Sequence, residues 1–117
     1  MIKNSTYFVD IDGTIVKYRE FEHLLETPAE PIQEVIDSIN KEYKKGSHIV
    51  ITSARPVEYL HFTEKELKKI GLKYHQIVLG IGRGTRFIIN DIDPDKPDAK
   101  RAVGINLVRD KGYQGKL

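Results

Sequence analysis

The sequence predicts an α/β fold with a central, mostly parallel sheet covered by helices on both faces. Three observations predict it. Short runs of β-branched and aromatic residues, YFV, HIVI and FIIN, recur along the chain. Segments with the apolar spacing of a helix alternate with them. The runs also lack polar alternation, as expected of strands buried on both sides.

Residues 5–10 read as the first strand. Ile32, Val35, Ile36, Ile39 and Tyr43 follow the i, i+3, i+4 spacing of an amphipathic helix over residues 31–45. Pro31 suits its first turn and Gly46 its end. Residues 48–52 form a second strand, and residues 56–70 a second helix opened by Pro56 and closed by Gly71. Residues 76–79 form a third strand, 87–90 a fourth and 105–108 a fifth.

The bulk numbers fit one domain over residues 1–117, long enough to bury a core without staples. There is no cysteine, so disulfides, a thiolate nucleophile and a Cys-based zinc site are excluded. No apolar run approaches the roughly 20 residues that span a bilayer. The N-terminal MIKNSTYFVDID has no signal-peptide pattern. A cytoplasmic protein is expected, with no membrane partner. The net charge of +2 makes no demand for nucleic acid. The basic clusters at residues 41–45, 65–69 and from Arg109 onward read as solvated faces or ends.

In open parallel sheets, ligands bind outside the carboxyl ends of the strands. Three ends carry chemistry here: Asp10 and Asp12 after the first strand; Thr52, Ser53 and Arg55 after the second; Asn90, Asp91 and Asp93 after the fourth. Each alone is ordinary turn or cap chemistry. Ser53 is also a candidate cap for the second helix. Together they gather carboxylates that repel unless a cation neutralises them, and an all-oxygen set favours Mg²⁺. Hydroxyls and arginine beside such a cluster make a phosphate receptor.

Asp10-Ile11-Asp12-Gly13-Thr14 after YFV resembles the first motif of the haloacid dehalogenase-like superfamily. Ser53 within SARP resembles its second motif, and Asn90-Asp91 after FII its acidic fourth motif. The likeness is to small capless phosphatases associated with capsule or lipopolysaccharide sugar metabolism. It implies a Rossmann-like three-layer sandwich with no cap domain. It also implies a Mg²⁺-dependent phosphomonoester hydrolase acting through an aspartyl-phosphate.

In that scheme Asp10 is the nucleophile. Asp12 is general acid and then general base. Ser53 bonds a phosphoryl oxygen, with Thr52 the alternative, and Thr14 holds the chain beside the site. Mg²⁺ is held by Asp10, the carbonyl of Asp12, and Asp91. The third motif needs a basic residue. Arg83 is the first candidate, with Arg86 and Lys96 behind it. Asn90 stands where many relatives have a second Asp, so Asp93 or Asp95 would act through water.

Residues 15–30 have room for a short flap only, and Tyr18, Arg19, His23 and Arg55 are candidates for substrate contact. An open site of this kind takes a large substrate or is closed by a second copy of the chain. The expected substrate is a sugar phosphate or related small metabolite. A polynucleotide end is the second enzymatic alternative, and a non-catalytic phosphate-binding domain the third. His48, His61 and His75 are expected to be structural. The tail from Lys111, with Gly112 and Gly115, is expected to be loose.

Overall fold

The computed structural model describes residues 4–113. It is an α/β domain built on a parallel three-stranded sheet in the order β1-β2-β3. The strands are β1 (Thr6–Val9), β2 (His48–Thr52) and β3 (Gln76–Val78). Two helices connect them, α1 (Gln33–Lys45) and α2 (Leu60–Lys69).

Strand register decides which face is buried. Val9 pairs with Ile51, and Ile51 with Ile77, so these three share one side of the sheet. That side meets Val35, Ile36 and Ile39 of α1 and Leu67 of α2 in a single core. Each fully buried aliphatic side chain contributes about 1.5–3 kcal/mol. The other side carries Phe8 and Val50, which pair with each other, and Val78. Val50 is buried, but Phe8 and Val78 remain 59% and 44% exposed. Both helices thus contribute to one core, and among the described residues no helix covers the second face, which the sequence had led us to expect covered as well.

α1 follows the expected pattern. Its last N–H groups give way at Gly46, whose φ of 101° closes the helix through bonds to Glu42 and Tyr43 carbonyls. Lys44 and Lys45 sit where the helix dipole favours cations. α2 starts later than expected. Pro56 is extended (φ −57°, ψ 148°), and a 3₁₀ turn, Val57–Tyr59, precedes the helix. Ser53 therefore does not cap α2. Its Oγ accepts from the Arg55 N–H two residues on (3.0 Å).

Residues 15–30 form a closed excursion, as the flap expectation requires. Lys17 N–H donates to Glu30 O (2.8 Å) and Ile32 N–H to Ile15 O (2.8 Å), pinning its two ends together. A 3₁₀ turn, Phe21–His23, lies at its tip, and Phe21 stacks on Tyr59 with ring centroids 5.3 Å apart. His75 stacks between His48 and Tyr43 and accepts the Ile49 N–H, which is the structural role expected of it.

The fourth and fifth strands do not form. Residues 87–90 form no strand and make no backbone hydrogen bond to another described residue, with Phe87 82% and Ile89 93% exposed. The reason lies at the start of the segment. Arg86 reaches Asp10, its Nη2 3.8 Å from Oδ1, so the chain departs from the carboxyl end of β1. A parallel neighbour of β1 must begin at the opposite end, beside Thr6. Residues 105–108 are also unpaired, although Leu107 packs against the core.

The tail expectation is corrected for its first part. Lys111 N–H donates to Val108 O, and Tyr113 N–H to Glu34 Oε1 (2.7 Å), so this stretch is tied to α1. Gly115 lies outside the described residues. Among the described residues, no helix is long and apolar enough to cross a membrane.

Candidate functional site

The turn after β1 sets the site. Ile11 is fully buried, so strand alternation directs Asp10 and Asp12 away from the core. The Ile11 carbonyl accepts from the N–H groups of Thr14, Ile15 and Val16, which winds the chain tightly. Gly13 makes this possible with φ at 88°, and the Arg109 side chain lies 3.0 Å from where a Cβ would stand.

A cleft of about 180 Å³ opens here. Asp10, Asp12, Ser53 and Arg83 all line it, so the four residues expected to be catalytic do converge. Arg55 and Arg86 line it too, as do Tyr18 and Arg19 from the flap. Thr14 and Thr52 do not. Thr14 acts on Asp10 instead, its Oγ1 donating to Oδ2 at 3.4 Å. The cleft holds five arginines against two aspartates, a balance that suits an anion.

Asp10 is half-buried, and loss of water raises its pKa above the usual carboxylate range. Asp12 acts in the same direction. A backbone N–H, Arg86 and Thr14 oppose the rise. Asp10 thus stands between a desolvating wall and a guanidinium.

Asp12 has a different environment. Arg55 donates to both its oxygens, Nε to Oδ2 at 3.0 Å and Nη2 to Oδ1 at 2.8 Å. Arg55 also bonds Thr63 Oγ1 and Glu66 Oε1, and its side chain is only 2% exposed. Glu66 in turn accepts from Arg19 Nη2 at 2.7 Å, and Arg19 holds the flap carbonyl of Thr27 at 2.6 Å. One buried chain, Arg19–Glu66–Arg55–Asp12, therefore joins flap, α2 and first turn. Burial alone would lower the Arg55 pKa, but its bonds to Asp12 and Glu66 raise it above the ordinary arginine value. Its first task is to hold Asp12, so the expected substrate contact is confined to whatever donors face the cleft.

Three residues of this site were not anticipated: Glu66, Arg109 and Asp110. Glu66 is one of several charges on an amphipathic helix, and nothing in the sequence distinguishes it from the solvated ones. Arg109 lies 3.9 Å over the Tyr18 ring. Asp110 takes φ 66°, donates its N–H to Gly13 O and accepts the Tyr18 N–H at 2.6 Å. These bonds fasten the C-terminal segment to the first turn.

Asp91 is not brought to the site. It is 73% exposed and pairs with Arg101 at 3.3 Å. Because the strand before it does not pair with β1, nothing carries it to Asp10. Among the described residues no group of three acidic or histidine side chains could hold a metal. Asp10 lines the cleft, Asp12's carboxylate is occupied by Arg55, and the third acid is elsewhere. A single chain does not fit the Mg²⁺ set that the resemblance implies. Lys96 and His23 are also outside the cleft lining, His23 lying near Glu22 and Glu26 at the surface.

No protein-family profile matches this sequence, and no curated protein matches it. A crystal structure of a protein target from Vibrio cholerae is similar in fold. The two share 21% identity with a TM-score of 0.57, over 78% of this chain and 85% of the other. At that identity the likeness speaks for the α/β fold alone.

Proposed function

We propose that this chain is a phosphomonoester hydrolase of the haloacid dehalogenase-like kind, with a Rossmann-like, capless fold, acting on a sugar phosphate or related small metabolite. The observation that carries it is the convergence of Asp10, Asp12, Ser53 and Arg83 in one arginine-rich cleft at the sheet's carboxyl edge. Mg²⁺ is the cofactor the resemblance calls for, although one chain alone does not assemble its ligands.

The protein's own groups divide the work. Arg83, Arg86 and Arg109 draw a phosphoryl group into the cleft. Ser53 Oγ accepts from the Arg55 N–H and keeps its own proton to donate to a phosphoryl oxygen. An Asp10 carboxylate oxygen bonds phosphorus as the ester P–O bond breaks, and Asp12 protonates the leaving oxygen. Water then attacks the aspartyl-phosphate, giving its proton to Asp12, and Asp10 and inorganic phosphate are released. For each transfer Asp12 must let go of at least one of its two bonds to Arg55.

A panel of sugar phosphates and phosphorylated oligonucleotides, assayed with Mg²⁺, tests this. Phosphate release from the sugar phosphates is expected, falling on the order of a thousandfold or more in Asp10→Asn. Undiminished release in that variant rejects the nucleophile, and release from oligonucleotides alone moves the substrate class. One observation favours a second function, non-catalytic phosphate binding: both Asp12 oxygens are already taken. An inactive panel with retained phosphate binding would select it.

A further inference from the structure

Residues 87–106 make hydrogen bonds and ion pairs only among themselves within the described chain. The stretch that follows is tied to the domain at three points. Leu107 packs against the core, Asp110 bonds Gly13 and Tyr18, and the Tyr113 N–H donates to Glu34. Asp110 does this at a φ of 66°, a left-handed backbone that a non-glycine residue adopts at a cost.

What this fastening delivers to the cleft is Arg109. Its stem crosses Gly13, with Cγ 3.0 Å from where a Cβ there would stand. Its guanidinium carbon lies 3.9 Å from the centre of the Tyr18 ring. Both of these neighbours are held by Asp110, so the side chain is placed before any ligand arrives.

The other arginines of the cleft are placed for other tasks. Arg19 and Arg55 are spent on Glu66 and Asp12, and Arg86 stands 3.8 Å from Asp10. Arg83 and Arg109 have no acidic partner among the described residues, and of these two Arg109 is the one fixed by a ring and a turn. An arginine carries five N–H donors in a planar fork that matches an oxyanion, and contact with a ring face supplies that fork with no acceptor.

Position decides which oxyanion it meets. The reacting phosphoryl group belongs beside Asp10, Ser53 and Arg86. Arg109 stands against the flap instead, where Tyr18, Phe21 and Leu24 line the same cleft. We propose that Arg109 binds a second oxyanion of the substrate, a carboxylate or a further phosphoryl group, so that the preferred substrate is a sugar phosphate carrying another acid. This narrows the substrate class of the hydrolase proposed above and rests on that function, whereas the anion subsite stands on the geometry of Arg109. A charge-assisted contact of this kind favours the doubly acidic ligand by about 10- to 100-fold. It touches no reacting atom, so its effect falls on KM.

Calorimetry on the full chain with Mg²⁺ present tests the subsite apart from turnover. The probes are phosphonocarboxylates and bisphosphonates of increasing length, each against the alkylphosphonate of the same length; their P–C bonds resist hydrolysis. Tighter binding of a doubly acidic probe is expected, and the series that gains more identifies the second group. The preference should vanish in Arg109→Met and persist in Arg101→Ala, which removes a surface charge paired with Asp91. Equal binding in the parent, or a preference that survives Arg109→Met, overturns the subsite. Should Arg109→Met unfold, Arg109→Lys decides, since it keeps the charge and loses the fork. It should weaken the preference, and an undiminished one overturns the subsite.

Turnover then separates this inference from the hydrolase itself. Sugar-acid phosphates should show a lower KM than the matching neutral sugar phosphates, and Arg109→Met should erase the difference. Hydrolysis of both classes with equal KM rejects the second acid and leaves the hydrolase standing. No hydrolysis of either, with the probe preference intact, rejects the hydrolase and leaves the subsite.

Discussion

HIVIT at residues 48–52 and FIIN at residues 87–90 are near twins in composition and opposite in fate. Ile49 and Ile51 are wholly buried at the centre of a parallel sheet. Ile88 and Ile89 are 56% and 93% exposed. Strand-forming residues are common to both, so intrinsic preference does not separate them. What separates them is the point at which each run is delivered. α1 turns the chain back so that β2 begins beside Thr6. After β3 the chain brings Arg86, the residue before Phe87, to Asp10 at the other end of β1.

The sharpest way to break the ordered half is at Arg55. Arg55→Leu should destabilise the fold by about 3–5 kcal/mol, because Asp12 and Glu66 lose a buried counter-ion. Urea denaturation measures it. A loss below about 1 kcal/mol would mean that the ion-pair chain does not brace the first turn.

A matched pair of truncations measures the contrast directly. Ile51→Val should cost about 0.5–1.5 kcal/mol, as for a packed core isoleucine. Ile89→Val should fall within about 0.5 kcal/mol of the parent, because Ile89 is 93% exposed. Equal costs would place Ile89 in a packed core.

The smallest effect concerns Asp10 and pH. Its pKa is raised chiefly by lost hydration, so the folded form holds the proton more tightly than the unfolded chain does. Stability from this group is present below the unfolded value and is lost as pH rises through the higher folded one. Asp10→Asn should therefore raise the melting temperature slightly at neutral pH and not in acid. In activity, the ionisation of Asp10 should place the acid limb above that of a free carboxylate. Arg86→Ala should move that limb further up, since Arg86 opposes the rise.

The legible parts of the sequence were those governed by local rules. α1 could be read from Ile32 to Gly46 because a helix's apolar stripe and its glycine terminator are short-range signals. β2 could be read because a continuous apolar run between turns needs little context. The first turn was legible in DIDGT, where Gly13 does take positive φ. Local signals stop deciding where partners do. The FIIN run states that its side chains need burial but not whose edge will supply it. Pro56 was compatible with a helix start, yet its extended ψ deferred α2 to Leu60. Glu66 enters the site through contacts with Arg55 and Arg19, and Arg109 through Tyr18, the latter two contacts spanning segments far apart in sequence.

Strand order has a kinetic consequence. β1 pairs with β2 and β2 with β3, so each new strand docks on the one made just before it. Among the described residues, every strand pairing and nearly all of the fully buried core lie within the chain up to Val78. Loop closure is entropically cheapest between neighbours, and folding speeds up as contacting residues approach in sequence. During synthesis the sheet can therefore close while residues beyond Val78 are still being added. The last third of the chain would then emerge onto a finished template, with its own timing set by encounter.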